Sequence, residues 1–392
     1  MKKSLIHNLL ARVQADGLAV RYWDGEEIIY GPGPVKVKME FTAEPPPGFS
    51  LEDPIMAFGE AYMDGILEFS GNMTDLLQIM DKNTEIIYHG RILQAIRRRI
   101  MKSAAKAQQK SNIQHHYDLG NDFFALWLDQ SMNYSCGYFQ HPDDLLDQVQ
   151  QQKISHVLRK LCLKPGDRLL DIGSGWGCLI IQAAQEYGVK ATGITLSEEQ
   201  FASTKEQIAK LGLGEQVDVR LLNYLDLDEK QDQFDKIVSI GMFEHVGQAN
   251  HPKYMDKVNR LLTPGGLSLL HTIACLKEAI PNTWTAKYIF PGGYIPSLRE
   301  VVNLLPDFNF HLIHLESLRM HYAMTLDRWY ENFCNHRAEI EARYGQRFAR
   351  MWNLYLLTSA ASFRNGLEIY QLLFTKGLNN ELPLTYDHLY AS

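Results

Sequence analysis

The stretch LLDIGSGWG, residues 169–177, is an apolar run that ends in Asp171 and opens into glycines at 173, 175 and 177. Glycines at this spacing let the main chain approach a ligand that a Cβ would hold away. A dinucleotide fold instead carries G-x-G-x-x-G and an acid about 20 residues further on that takes a ribose hydroxyl. Neither is present, and Thr195, in GITLSEEQ, stands where that acid would fall. The G-x-G-x-G loop suits a nucleoside without phosphates whose amino-acid tail is held by backbone groups, and S-adenosylmethionine is such a ligand. Two further residues could do acid–base chemistry beside it. Glu244 follows the apolar run DKIVSIG, and His271 ends GGLSLLHTI. Taken singly, the first reads as a surface loop acid and the second as a satisfied core histidine. Both fall at strand ends, and it is this position together with the motifs around them that reverses the preference. His115 and His116 are adjacent, so on a helix they would point apart, and no H-E-x-x-H pattern exists; no metal site is expected.

The glycine loop alone could be only a tight turn, so its meaning depends on the elements around it. From residue 143 an amphipathic segment to Leu161 leads into DRLLDIG as a strand, CLIIQAAQEYG as a helix and VKATGIT as a strand. SEEQFASTKEQIAKLG follows as a helix that Ser197 is placed to cap. VDVRLLN, FDKIVSIG and GGLSLLHTI read as further strands. This alternation predicts an α/β fold with a mainly parallel sheet and helices on both faces. Ligands in such a sheet sit at the carboxyl ends of the strands, which is where DIGSGWG, Glu244 and His271 fall.

Upstream, residues 18–41 alternate in a strand-like way with DGE and GPGP as turns, predicting a small meander. Residues 51–80 mix helical periodicity with glycine breaks, and residues 1–90 read as a separate small α+β domain. Residues 91–111, RILQAIRRRIMKSAAKAQQKS, hold Arg and Lys and no acid. This segment is either a solvated linker helix or a contact to an anionic membrane, worth about 1 kcal/mol per basic residue near the surface. Residues 112–392 read as the catalytic domain.

The chain has 392 residues and 45% apolar composition, enough for one large domain and a smaller one. A formal net charge of −7 argues against an overall nucleic-acid binder. The five cysteines, Cys136, Cys162, Cys178, Cys275 and Cys334, contain no C-x-x-C pair, which fits a reducing compartment. The N-terminus is interrupted by His7, Asn8, Arg12, Gln14 and Asp16 and does not read as a signal peptide. No uninterrupted apolar run of about 18 residues exists, so lipid would be met from the water side.

The motifs NYSCGYF, LDIGSGWG, GITLSEEQ, SIGMFEHVG, LLHTI, KYIFPGGYIPS and WYENF occur in this order. Together they resemble the cyclopropane-fatty-acyl-phospholipid synthases and the related mycolic acid cyclopropane synthases. The likeness runs from NIQHHYDLGNDFF at residue 112 to the C-terminus, and GEAYMDG at 59–65 extends a weaker match upstream. It implies a class I S-adenosylmethionine-dependent methyltransferase fold, Rossmann-like, with the small α+β domain in front. It also implies transfer of a methylene group from S-adenosylmethionine to a cis double bond of acyl chains in membrane phospholipids.

By the same resemblance Tyr134, Ser135, Gly173, Ser174, Gly175, Thr195, Leu196, Gln200, Asn223 and Tyr224 line the cofactor site. An amide at Gln200 can donate to and accept from ribose hydroxyls, so a carboxylate is not chemically required. The alkene attacks the methyl group, and the resulting carbocation must lose a proton to a base in a site that excludes water. The resemblance supplies a bound bicarbonate as that base, held by Cys136, Glu244, His271 and Tyr322 through side chains and by Ile273 through its backbone N–H. A carboxylate beside bicarbonate would repel it unless a shared proton or the imidazole offsets the charge, so this cluster should titrate as a unit. Tyr288, Phe290 and Tyr294 could face the cation or could be core. Some family members carry a cysteine in the late helix where this chain has Ser359, so a covalent cysteine mechanism at that position is not expected. Related outcomes are a methyl branch or a hydroxyl from the same cation, and, from another class, a non-catalytic lipid carrier on this scaffold. The expected setting is cytoplasmic and peripheral to the membrane. A homodimer would let two basic surfaces engage one bilayer.

Overall fold

The computed structural model describes residues 2–14, 16–83, 119–279 and 282–390. The basic segment 91–111 and the pair His115 and His116 lie outside the described residues. The described chain falls into two compact units. One comprises residues 2–83 with 282–291 and 326–366, the other residues 119–279 with 292–325 and 367–390. Residues 282–291 and 326–366, which lie within the stretch read as the catalytic domain, group with the N-terminal residues.

The first unit is built on four strands, β1 (Gly17–Arg21), β2 (Glu27–Tyr30), β3 (Val35–Phe41) and β4 (Leu67–Gly71), in the order β2-β1-β3-β4. In β3 the period of two holds from Lys36 to Phe41, Val35 at its start being exposed. Val37, Met39 and Phe41 are buried with Leu18, Val20 and Leu67, while Lys36, Lys38 and Glu40 face outward. The predicted meander is not formed: β3 pairs with β1 in parallel and leaves β2 at the edge. The reason lies in the GPGP connection. Gly17 donates its N–H to Pro34 C=O at 2.9 Å, and a Cβ on Gly17 would sit 2.5 Å from Gly33 C=O. The loop thus crosses the start of β1 and delivers β3 to its other side. Arg350, in helix Gln346–Arg364, is buried in this unit; it donates to Tyr62 C=O, stacks 4.2 Å from the Tyr62 ring and pairs with Glu68 at 2.9 Å.

The second unit is a seven-stranded sheet. Its strands are β5 (Arg168–Ile172), β6 (Lys190–Thr195), β7 (Val217–Leu221), β8 (Phe234–Ile240), β9 (Leu262–Ala274), β10 (Phe310–Ser317) and β11 (Glu368–Lys376). The order is β10-β11-β9-β8-β5-β6-β7, with β7, β6, β5, β8 and β9 parallel and β11 antiparallel to both its neighbours. The inner strands read as continuous apolar runs because both faces are covered. Leu170, Ile237, Leu270 and Leu372 pack on one side with Tyr254, Val258 and Leu261 of helix His251–Leu261. Their neighbours Leu169, Val238, Leu269 and Leu373 pack on the other with Val157 and Leu158 of helix Leu146–Lys160 and with Ile180 and Ala183 of helix Cys178–Tyr187. Helix Glu198–Lys210 begins where the sequence predicts, with Ser197 Oγ accepting the Gln200 N–H at 3.3 Å. Among the described residues no helix is long and apolar enough to cross a membrane.

Candidate active site

The glycine loop leaves β5 at its carboxyl end. Gly173 has φ 89° and Gly177 φ 84°, both in the left-handed region, and a Cβ on Gly177 would lie 2.3 Å from Thr204 Cγ2. The N–H groups of Gly173 and Ser174 both donate to Ile194 C=O at 3.0 Å, which ties the loop to the end of β6. A cavity opens above this loop, and all ten residues expected to hold the cofactor line it: Tyr134, Ser135, Gly173, Ser174, Gly175, Thr195, Leu196, Gln200, Asn223 and Tyr224. Thr195 donates its hydroxyl to Gln200 Oε1 at 2.7 Å and accepts the Ser197 N–H at 3.1 Å. That fixes the Gln200 carbonyl toward Thr195 and leaves its NH₂ as the donor end. Asn223 Oδ1 accepts the Leu225 N–H at 3.0 Å. Two buried polar atoms on lining residues, Asp171 Oδ1 and Tyr224 Oη, have no protein partner. Burial pushes the Asp171 carboxyl up to about 7, against the pull of Lys153, and the Tyr224 phenol up to about 12. Lys153 is the one lysine or arginine among the described lining residues. Such a wall fits a nucleoside with an amino-acid tail better than a polyphosphate.

Glu244 sits in a single 3₁₀ turn, Phe243–His245, just past β8. Tyr294 donates its N–H to the Glu244 carbonyl at 2.8 Å, which anchors the turn. Glu244 Oε1 accepts the Ile273 N–H at 2.6 Å, whereas Oε2 is buried with no protein partner. Burial raises the carboxyl to about 7 even though the Ile273 N–H and Thr272 favour its ionised form. His271 lies two residues before Ile273 on β9, opposite Gln371 on β11. Its Nδ1 meets Gln371 Nε2 at 3.2 Å, and its Nε2 is buried with no protein partner. Burial first, then the charges of Lys153 and Lys160, lowers its pKa to about 3, so the ring is neutral.

Cys136 and Tyr322 meet at one carbonyl. Leu318 C=O accepts the Tyr322 N–H at 3.0 Å and lies 3.8 Å from Cys136 Sγ, and both side chains are buried. The thiol stays protonated because burial pushes it up. Of the three aromatic residues whose role the sequence left open, Tyr288 donates its hydroxyl to Glu60 at 2.6 Å and Tyr294 to Glu300 at 2.9 Å. Phe290 packs edge-on against Tyr355, with centroids 5.7 Å apart.

Sequence reasoning passed over a polar stripe. Gln150, Lys153, His156 and Lys160 recur at helical spacing along Leu146–Lys160, and all four are buried. Gln150 donates to Ser135 C=O at 2.8 Å, and Lys153 donates to Asn133 Oδ1 and Ser135 Oγ at 3.1 Å each. His156 Nε2 meets Glu316 at 2.8 Å, and Lys160 bonds Glu316 and the Gln371 carbonyl oxygen, the latter at 2.7 Å. Polar residues on the inward stripe of a helix were the available signal, since such groups are rarely buried without a task.

The family model described as mycolic acid cyclopropane synthetase matches residues 104–372, and a domain of unknown function (DUF7884) matches residues 5–91. A protein of Pseudomonas putida named "Probable fatty acid methyltransferase" is 37% identical over 95% of this chain and 96% of its own length. The cyclopropane-fatty-acyl-phospholipid synthase of Escherichia coli K12 is 37% identical over 85% of this chain and 86% of its own. A crystal structure of the mycolic acid cyclopropane synthase CmaA1 complexed with SAH and CTAB superposes with a TM-score of 0.65 at 33% identity, covering 68% of this chain and 98% of that one. With a family match over most of its length and a site at the carboxyl edge of a methyltransferase sheet, the chain belongs to the mycolic acid cyclopropane synthetase family.

Proposed function

We propose that this enzyme uses S-adenosylmethionine to convert a cis double bond in the acyl chains of membrane phospholipids to a cyclopropane ring, with bound bicarbonate as the final base. The observation that carries the reading is a pair of buried polar atoms without protein partners, Glu244 Oε2 and His271 Nε2, on residues tied to the same end of β9. Leaving two such atoms bare costs about 1–3 kcal/mol each, and a small oxyanion would satisfy both. Glu244, raised to about 7, can carry the proton it shares with that anion, which removes the like-charge repulsion. By the family likeness His271, the Cys136 thiol and the Tyr322 phenol add donors, while the Ile273 N–H, expected on the anion, is taken here by Glu244 Oε1 and holds that residue in place. S-adenosylmethionine supplies the electrophilic methyl group. The chain's own work is to hold it through the glycine loop, Gln200 and Asn223, and to keep water from the cation formed on the lipid.

The test is incubation of unsaturated phospholipid vesicles with methyl-labelled S-adenosylmethionine, with and without bicarbonate, followed by mass spectrometry of the acyl chains. Gain of one CH₂ with loss of the unsaturation, dependent on bicarbonate, supports the reading. A product that keeps the double bond count or carries a hydroxyl, or turnover indifferent to bicarbonate, removes it. A branched alkene, formed when the same cation loses its proton without closing the ring, is the second reading, favoured by the name of the Pseudomonas putida relative; it is an isomer of the cyclopropane, so proton NMR, which resolves cyclopropane CH₂ from vinylic signals, separates the two. Absence of S-adenosylmethionine binding in calorimetry would favour a lipid carrier.

The substrate reading brings a peripheral, cytoplasmic setting with it. The basic run Arg97, Arg98 and Arg99 is the proposed contact to anionic lipid. Replacing the three by Gln is expected to weaken binding to anionic vesicles at low salt; unchanged binding removes the contact. A homodimer would strengthen that binding through avidity, and sedimentation tests it.

A further inference from the structure

The unpartnered Nε2 of His271 is useful to an anion only if it carries the proton. A neutral imidazole can place its proton on either nitrogen, and what decides is the hydrogen bond made by the other one. Here that bond leads away from the site through two buried side chains. Gln371 Nε2 lies 3.2 Å from His271 Nδ1, and Gln371 Oε1 accepts from Lys160 Nζ at 2.7 Å.

An amide by itself could be turned either way. Lys160 removes that freedom, because an ammonium donates and cannot accept. The Gln371 atom facing Lys160 must therefore be the carbonyl oxygen, the atom facing His271 must be the NH₂, and His271 Nδ1 must offer its lone pair. The proton is left on Nε2. Burial lowers the Lys160 pKa, and the paired Glu316 carboxyl, which also meets His156 Nε2 at 2.8 Å, opposes that by favouring the ammonium. Despite desolvation, the His156 bond and the Lys160 charge draw the Glu316 carboxyl down to about 2. Lys160, Gln371 and His271 are all fully buried, so water does not compete for these bonds.

We propose that Lys160 and Gln371 are positioning residues that fix His271 as the Nε2–H tautomer, so that its buried ring presents a donor to the anion held beside Glu244. This rests on the reading of that site as an anion site. The orientation of Gln371 depends on strand pairing, since residues 371 and 271 are direct partners across β11 and β9. Lys160 comes from the polar stripe of helix Leu146–Lys160. Three distant segments thus agree on the position of one proton.

The experiment uses the full-length chain labelled with ¹⁵N-histidine, with His271→Gln to assign the ring signals. The expected spectrum shows Nδ1 unprotonated and Nε2 protonated at neutral pH; the reverse assignment overturns the proposal. Gln371→Glu keeps an acceptor for Lys160 but turns an acceptor toward His271 as well. Nδ1 is then expected to gain a proton, and kcat on unsaturated vesicles to fall by about tenfold or more with KM for S-adenosylmethionine within about twofold. An unchanged spectrum, or full kcat with Nδ1 protonated, counts against the relay. Lys160→Met, which frees the amide to turn, is expected to give a mixture of tautomers; a pure Nε2–H signal in that variant removes Lys160 from the proposal. The nitrogen spectrum needs neither anion nor lipid. Failure of the bicarbonate reading would appear as turnover indifferent to bicarbonate while the tautomer result stood.

Discussion

Ile273 donates its backbone N–H to Glu244 Oε1 at 2.6 Å, joining the turn after β8 to the end of β9. One carboxylate oxygen is thereby committed to the protein and the other is not, which gives Glu244 one structural and one chemical end. Glu244→Gln keeps the structural end, because an amide oxygen also accepts from Ile273. Under the proposed function it loses the proton shared with the anion. S-adenosylmethionine affinity is expected to stay within about twofold by calorimetry, while turnover drops by about 10²-fold, in the range of a lost acid–base group. Intact turnover would falsify the role given to this residue.

The Glu244 carboxyl, held near 7 by burial, also predicts a pH dependence. Below that value it is protonated and welcomes an anion; above it the like charges repel. Nitrate, a trigonal monoanion that does not titrate in this range, should bind progressively more weakly from about pH 6 to about pH 8, approaching tenfold per unit above the midpoint. In Glu244→Gln the curve should be flat. A pH-independent affinity in the parent chain would contradict the assignment.

Gln200 is the residue proposed to take the ribose contact that a carboxylate makes in other nucleoside-binding folds, and its carbonyl is already taken by Thr195 at 2.7 Å. Gln200→Ala is expected to weaken S-adenosylmethionine about tenfold, the cost of one lost hydrogen bond in a buried site. Gln200→Glu retains the acceptor for Thr195 and can accept from ribose hydroxyls, so its affinity should lie between the two. Equal affinity for all three chains would show that Gln200 makes no contact with the ligand.

Burial raises the Asp171 carboxyl from its ordinary 3.8 to about 7 in the fold. A raised carboxyl means that the folded state holds its proton where the unfolded state has lost it, so stability is full below about pH 4 and declines as pH rises toward 7. The integrated loss is on the order of 4 kcal/mol for a shift of this size. Asp171→Asn removes the titrating group, and its melting temperature without ligand should therefore fall less between about pH 5 and about pH 8. Parallel melting curves for the two chains would refute the buried, proton-bearing state of Asp171.

At Gly177 a methyl group has nowhere to go, because Thr204 Cγ2 is 2.3 Å from the Cβ position and φ is 84°. Gly177→Ala should cost about 2 kcal/mol from steric overlap and left-handed strain together. Adding Thr204→Ser deletes the clashing methyl and should return part of that loss. If the second change recovers no stability in denaturant titrations, strain alone sets the cost.

Much of the second unit was legible because its chemistry is local. Runs such as LLDI and KIVSI are mostly apolar on both faces, broken only by Asp171, Lys236 and Ser239, because both faces are covered, and Ser197 caps its helix with its own hydroxyl. The ten residues assigned to the cofactor by family likeness line one cavity at the strand ends. What escaped was set by partners far along the chain. Periodicity marks β3 as a strand but does not say that it lies beside β1, and nothing in EIYQLLFTK announces that β11 runs against its neighbours. Lys160 and Gln371 are separated by 211 positions, so their contact has no local signature. The burial of Lys153 and Lys160 on an inward helical stripe was the one clue in plain view.

β11 is the last strand made and yet lies inside the sheet, between β9 and β10. A ribosome has released every parallel strand before residues 368–376 emerge, and until then the leucine-rich border of β9 has no neighbour. A premature stop just after Arg364 would leave that border permanently open, a template for intermolecular pairing. For this chain, late nonsense lesions should be read as aggregation defects and not as milder forms of the enzyme.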